Sequence, residues 1–144
     1  MTLQVLILCT GNSARSQMAE GLLRFLAAGQ MEVESAGTAP SHVNPLAIQA
    51  MAERGIDISH HRSKHVNEFL HLPFDVVITV CDNAAEQCPL FPGNVERIHW
   101  NFPDPSTVQG SEQERLDAFR RVRNALEERL RLWLQKQPIE GKQV

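Results

Sequence analysis

Apolar residues in this chain gather into short unbroken runs at two places and recur with a helical period at others. Residues 3–8 (Leu-Gln-Val-Leu-Ile-Leu) are aliphatic with one exception and stop at a Gly-Asn pair. Such a run is too short for a typical helix and suits a strand buried on both faces, as in a parallel sheet. Residues 74–80 repeat the pattern and run into Cys81, as the first run leads into Cys9. Weaker strand patterns lie at 31–35 and 96–100. Between them, residues 16–28 carry Met18, Leu22, Phe25 and Leu26 at helical spacing, and Gly29 offers a stop. Asn44-Pro45 opens a second helix that runs to about residue 54, with Pro45 at its first position and Gly55 beyond its end. A short helix is expected near 66–71. Ser111 and Glu114 form a capping box before a long helix with Leu116, Phe119, Val122, Leu126, Leu130 and Trp133 on one stripe.

Strands alternating with helices predict an α/β fold, a three-layer sandwich around a four-stranded parallel sheet. Right-handed crossovers put the loops that follow the strands on one edge of such a sheet, which is where these folds bind ligands. Cys9, Cys81 and the loop holding Asp104 are therefore expected to converge. A chain of 144 residues suits one domain, here residues 1–136, followed by a polar tail at 137–144.

Composition narrows the function. A net charge of −3 argues against a nucleic-acid footprint. No apolar stretch approaches the roughly 20 residues that cross a bilayer, and the first residues lack a basic leader, so a cytoplasmic protein that does not contact membranes is expected. Three cysteines form no static disulfide framework and point to redox or catalytic use. Neither a C-x2-C pair nor spaced histidines accompany them, so no metal centre is expected. His60, His61 and His65 read as a solvated cluster. A monomer without a bound cofactor is the default.

The chemistry concentrates in Cys9-Thr10-Gly11-Asn12-Ser13-Ala14-Arg15-Ser16. A loop between a strand and a helix can curl successive N–H groups around a tetrahedral oxyanion while the helix points its positive end at it. The oxyanion-binding set is therefore Thr10, Gly11, Asn12, Ser13, Ala14, Arg15 and Ser16, with Arg15 gripping two oxygens through its planar fork. The same positive field favours the reactive thiolate of Cys9. Gly11 offers a positive φ or a close backbone approach, and Asn12 tolerates the left-handed region. Nucleotide-loop patterns are absent.

Two further features stand beside this loop. Asp104-Pro105 could present a carboxylic acid to a leaving oxygen, or it could be an ordinary Asp-Pro turn. Cys81 and Cys88 are seven positions apart, and in a helix that separates their Cα atoms by about 10 Å along the axis. A disulfide tolerates at most about 7 Å. The pair can bond only if the segment unwinds, which suits a switch; two inert cysteines are the alternative.

Taken together, these residues resemble the thioredoxin-coupled arsenate reductases of the low-molecular-weight protein tyrosine phosphatase superfamily over nearly the full length. The resemblance rests on residues 9–20, Ser35-Ala36-Gly37, Asn44-Pro45, residues 55–59, the Cys81/Cys88 pair before Pro89, His99-Trp100, Asp104-Pro105 and residues 120–123. It implies a low-molecular-weight phosphatase-like fold. It also implies reduction of arsenate to arsenite, for arsenic detoxification, by a relay in which Cys9 is the nucleophile and Cys81 and Cys88 resolve the adduct. Arg15 and Asp104 complete the catalytic set, Ser16 bonds the Cys9 sulfur, and thioredoxin supplies electrons. Phosphate and sulfate are implied as competing oxyanions. The alternative within the superfamily is a phosphatase acting on phosphotyrosine or small phosphomonoesters through a phosphocysteine.

The departures are specific. Ala14 stands where many relatives carry cysteine. Ser106 and Thr107 follow Asp104-Pro105 where the phosphatases usually have tyrosines, and the chain has no tyrosine. Some such reductases hold a potassium ion beside the loop; Asn12, Glu20 and Ser35 match that site, but Lys64 stands where an aspartate is expected. Lys64 is therefore expected either to substitute for the cation and pair with Glu20 or to be a solvated surface lysine.

Overall fold

The computed structural model describes residues 2–82, 84 and 86–137. All but one residue of the expected tail at 137–144 lies outside them. Its order is β1 (Leu3–Cys9), α1 (Arg15–Ala27), β2 (Met31–Gly37), α2 (Pro45–Ala52), a 3-10 turn (Val66–Phe69), β3 (Val76–Thr79), β4 (Glu96–His99), a second 3-10 turn (Pro105–Thr107) and α3 (Glu112–Gln135). The strands form one parallel sheet in the order β2-β1-β3-β4.

The central strand explains the layers. Successive side chains of β1 point to opposite faces. Val5, Ile7 and Cys9 join the larger core beneath α1, α2 and α3, whereas Leu6 and Leu8 join a smaller one with Val66, Phe69, Phe74 and Phe91. All three α-helices thus cover one face, and the third layer is the 3-10 turn with its flanking segments. Phe25 differs from its expected place: it is 55% exposed. At about 100° per residue it sits about 200° around the helix from Leu23, which is fully buried and takes the core position instead.

Local signals fix the helix starts. The Asn44 side chain accepts the Leu46 N–H at 2.9 Å ahead of Pro45. Ser111 and Glu114 close both bonds of the capping box.

The chain leaves β1 for β2 on one side and then crosses to β3 on the other. The gap between β1 and β3 is therefore the topological switch point, where open α/β sheets bind ligands at the carboxyl ends of their strands. In register, Leu8 pairs with Thr79 and the Val80 N–H reaches the Leu8 carbonyl at 2.9 Å. Cys9 consequently ends β1 at that point, and Cys81 follows two residues beyond the end of neighbouring β3.

Candidate active site

Cys9 ends β1 as a free, buried thiol, and Arg15 begins α1. The loop between them is shaped by its neighbours. The carbonyls of Thr10, Gly11 and Ser13 accept N–H bonds from Ala39, Ser41 and Asn44 at 3.0, 3.2 and 3.0 Å. These bonds commit the carbonyls to residues 39–44, and an oxyanion needs the opposite ends of the peptides. The N-cap of α1 is Ala14, which offers no capping side chain, so the first turn keeps N–H groups for a ligand.

The left-handed residue is Asn12, at φ 45°. Gly11 stays outside that region, and a methyl there would meet its nearest atom at 3.7 Å. The glycine this loop needs is Gly37, where a Cβ would collide with the Thr10 carbonyl oxygen and lie 2.9 Å from that of Cys9.

Asn12 is fully buried and holds the loop from beneath. Its Oδ1 accepts from the Lys64 N–H at 2.8 Å and from Gln17 Nε2 at 2.9 Å. Its Nδ2 donates to Ser16 Oγ at 2.8 Å and to Ser35 Oγ at 2.9 Å. Ser16 Oγ lies 2.8 Å from Cys9 Sγ. That oxygen also accepts from Asn12 Nδ2, so Ser16 links the sulfur to the buried asparagine beneath the loop.

Behind Asn12, Ser35 Oγ donates to Glu20, and the Lys64 ammonium lies 3.5 Å from Glu20 Oε1 and 2.9 Å from Glu34 Oε1. Lys64 thus pairs with Glu20, as expected, and more closely with Glu34. His61 is not a solvated histidine. Its Nδ1 donates to Gln17 Oε1 at 2.9 Å, because the Gln17 amide nitrogen is committed to Asn12 and to the Arg62 carbonyl. Burial pushes its imidazole below the ordinary histidine value, against the pull of Glu20.

The Arg15 guanidinium is 3% exposed as a residue. One nitrogen donates to the Phe102 carbonyl at 3.1 Å, and Asp104 Oδ2 stands 3.7 Å from the other. Asp104 adopts the Asp-Pro turn: its Oδ1 accepts the Ser106 N–H at 2.9 Å and hydroxyl at 2.6 Å. That engagement leaves Oδ2 on the Arg15 side, so forming the turn does not occupy the whole carboxylate. The ladder continued past β4, through Trp100 N–H to Thr79 and Phe102 N–H to Cys81, places this loop over Arg15.

Cys81 and Cys88 form a disulfide with Cα atoms 5.9 Å apart. The described residues between them are not helical, in keeping with the spacing. Cys81 is buried and Cys88 half-buried. The bond is therefore not wholly at the surface, because Cys81 still belongs to the ladder extending β3.

Sequence reasoning missed Glu86. Its carboxylate takes both forks of Arg15, one at 2.9 Å, and accepts the Thr10 hydroxyl at 2.6 Å and the Asp82 N–H at 3.2 Å. Burial alone would raise this carboxyl; the bonds from Arg15, Thr10 and Asp82 outweigh it and hold it at about 2. Arg15 in turn loses solvent, yet Glu86, Cys9 and Asp104 hold it above its ordinary value. The only sequence signal was an acid inside the cysteine-bounded segment.

Comparison with known proteins agrees with this geometry. The family model described as low molecular weight phosphotyrosine protein phosphatase matches residues 4–143. A protein named arsenate reductase from Halalkalibacterium halodurans is 44% identical over 127 residues, covering 88% of this chain and 91% of that protein. A solved structure described as an arsenate reductase in the phosphate binding state superposes with a TM-score of 0.76 at 34% identity, covering 94% of this chain and 98% of that one. A thioredoxin-dependent arsenate reductase from Corynebacterium glutamicum gives a TM-score of 0.62 at 29% identity, covering 92% of this chain and 63% of that one.

Proposed function

This chain belongs to the low molecular weight phosphotyrosine protein phosphatase family, and from that premise we propose that it reduces arsenate to arsenite through Cys9, Cys81 and Cys88. One observation carries the reading: a buried free cysteine ends β1 in an anion loop, and a cysteine pair already joined in a disulfide begins two residues past the end of neighbouring β3. Ester hydrolysis needs the first and has no use for the second.

Arsenate enters the loop between Arg15 and the N–H groups that open α1. The Cys9 thiolate attacks arsenic, a sulfur–arsenic bond forms, and one oxygen leaves as water with a proton from Asp104. Cys81 then attacks the Cys9 sulfur. The sulfur–arsenic electron pair stays on arsenic, which departs as arsenite, and a Cys9–Cys81 disulfide forms. Cys88 attacks Cys81, frees the Cys9 thiolate and leaves Cys81–Cys88. A dithiol, for which we propose thioredoxin, reduces that bond by exchange at the half-buried Cys88 and is itself oxidised. Two electrons enter per arsenate. The relay calls only on side chains of one copy of the protein and on no bound redox group, and a monomer without a cofactor would suffice for it. A thiol relay needs a reducing compartment, which supports the cytoplasm; no described helix is long and apolar enough to cross a membrane.

The test couples NADPH, thioredoxin reductase and thioredoxin to the protein. NADPH is expected to fall only when arsenate, thioredoxin and protein are all present. Rapid hydrolysis of p-nitrophenyl phosphate without arsenate-dependent NADPH oxidation would instead establish the phosphatase.

Replacing Asp104 with asparagine keeps the turn and removes the proton. Its expected effect is a loss of about 100-fold in the rate of arsenite release, with the affinity for phosphate within a few-fold of wild type. Equal rates for the two proteins would remove Asp104 from the chemistry.

The contacts of Lys64 with Glu20 and Glu34 support the further reading that its ammonium takes the place of an alkali cation beside the loop. Melting temperature and turnover are then expected to be the same in potassium and in sodium at equal ionic strength. A rise specific to potassium would contradict it.

A further inference from the structure

The position that an oxyanion would take at Arg15 is filled by a side chain of the protein itself. We propose that Glu86 is an internal oxyanion mimic that makes the site selective for the reduced protein, holding Arg15 while the Cys81–Cys88 disulfide is in place and yielding it when the disulfide opens. The inference rests on reading the Cys9–Arg15 loop as an oxyanion site.

The geometry is that of an anion ligand rather than a stray surface pair. A planar carboxylate meets the planar fork of Arg15 with two parallel bonds, the geometry in which guanidinium binds oxyanions. Thr10, the first residue of the loop after the nucleophile, donates to the same carboxylate at 2.6 Å. Asp104 Oδ2 stands 3.7 Å from Arg15 Nη2, the nitrogen that also donates to Glu86 Oε1. An arriving arsenate or phosphate dianion would meet two carboxylates on a single guanidinium, so Glu86 must leave before the ligand can bind. Because its carboxyl sits at about 2, below an ordinary value of 4.5, the contact is complete above pH 4.5 and weakens only as pH falls toward 2. Neutralisation therefore does not release it near neutral pH.

The disulfide supplies the redox dependence. It holds the ends of the segment 5.9 Å apart, and a cross-link removes most of the freedom that the residues between would otherwise lose on ordering. Glu86 is thus presented to Arg15 at high effective concentration. Reduction adds two electrons and two protons, gives two thiols and frees the segment, so the same contact then carries a larger ordering cost. The consequence suits the relay. While Cys81 and Cys88 are joined, an oxyanion captured by Cys9 has no resolving thiol, and Glu86 keeps it out.

Calorimetric titration with inorganic phosphate tests this on oxidised and reduced wild type and on oxidised and reduced Glu86→Gln. Glutamine keeps the size of the side chain but puts an amide nitrogen against the guanidinium. Oxidised wild type is expected to bind phosphate about ten-fold or more weakly than oxidised Glu86→Gln. Reduced wild type and reduced Glu86→Gln are expected to agree within about three-fold. The Cys81→Ser/Cys88→Ser double variant, which cannot close the loop, is expected to match reduced wild type. Equal phosphate affinity for the two oxidised proteins would overturn the role of Glu86. A deficit in wild type that persists after reduction would overturn the redox coupling. Failure of all samples to bind phosphate would overturn the oxyanion reading itself.

Discussion

Replacing Cys88 with serine is expected to stop arsenate reduction after one arsenite per chain, whatever the supply of thioredoxin. The first two steps need only Cys9, which ends β1, and Cys81, two residues past the end of neighbouring β3 at the switch point of the sheet. Serine cannot attack the Cys9–Cys81 disulfide, so the protein halts with Cys9 consumed. Multiple-turnover NADPH oxidation should fall to background, and peptide mapping should find Cys9 joined to Cys81. The fold should be little affected, since Cys88 lies in a partly exposed segment outside both cores. Continued turnover by the serine variant would mean that thioredoxin can reduce the Cys9–Cys81 bond directly and that Cys88 is dispensable.

Arg15→Lys is expected to lower kcat/KM for arsenate by about 100- to 1,000-fold, the usual cost of removing a preorganised oxyanion donor. The change conserves charge, so the loss measures geometry. The two fork nitrogens of Arg15 grip the Glu86 carboxylate here, and one of them also donates to the Phe102 carbonyl at 3.1 Å. Lysine presents a single point charge and cannot span two oxygens. Thiol alkylation of Cys9 provides the control, because Ser16 and the opening of α1 remain in place. A kcat/KM within a few-fold of wild type would show that the loop N–H groups suffice without the fork.

How far the site could be read beforehand depends on how local each signal is. The aliphatic run of β1, the Pro45 start of α2 and the Ser111–Glu114 box act within a few residues, and all appear where the pattern puts them. The Cys9–Arg15 loop is equally local, since a strand end, a left-handed Asn12 and a helix start lie within seven residues. The Cys81/Cys88 spacing correctly required an unwound segment because the constraint is simple length.

What escaped depends on partners distant in sequence. Glu86 meets Arg15 across 71 positions, and no periodicity encodes that meeting. His61 is drawn inward because Gln17, 44 positions away, has an oxygen left over after its nitrogen serves Asn12. Gly37 lies beyond the strand expected at 31–35, and only the parallel pairing sets it opposite Cys9. Phe25 fell on the apparent stripe of α1, but the cores select the face through Leu23, which the spacing alone did not favour.

The central claim is that three cysteines of one chain carry two electrons to arsenate. Its most direct test is a single turnover without any external reductant. Fully reduced protein is mixed with excess arsenate, arsenite is counted, and the disulfides are mapped by mass spectrometry. The expected result is one arsenite per chain, a Cys81–Cys88 disulfide and a free Cys9 thiol. No arsenite, with all three cysteines still reduced, would contradict the relay.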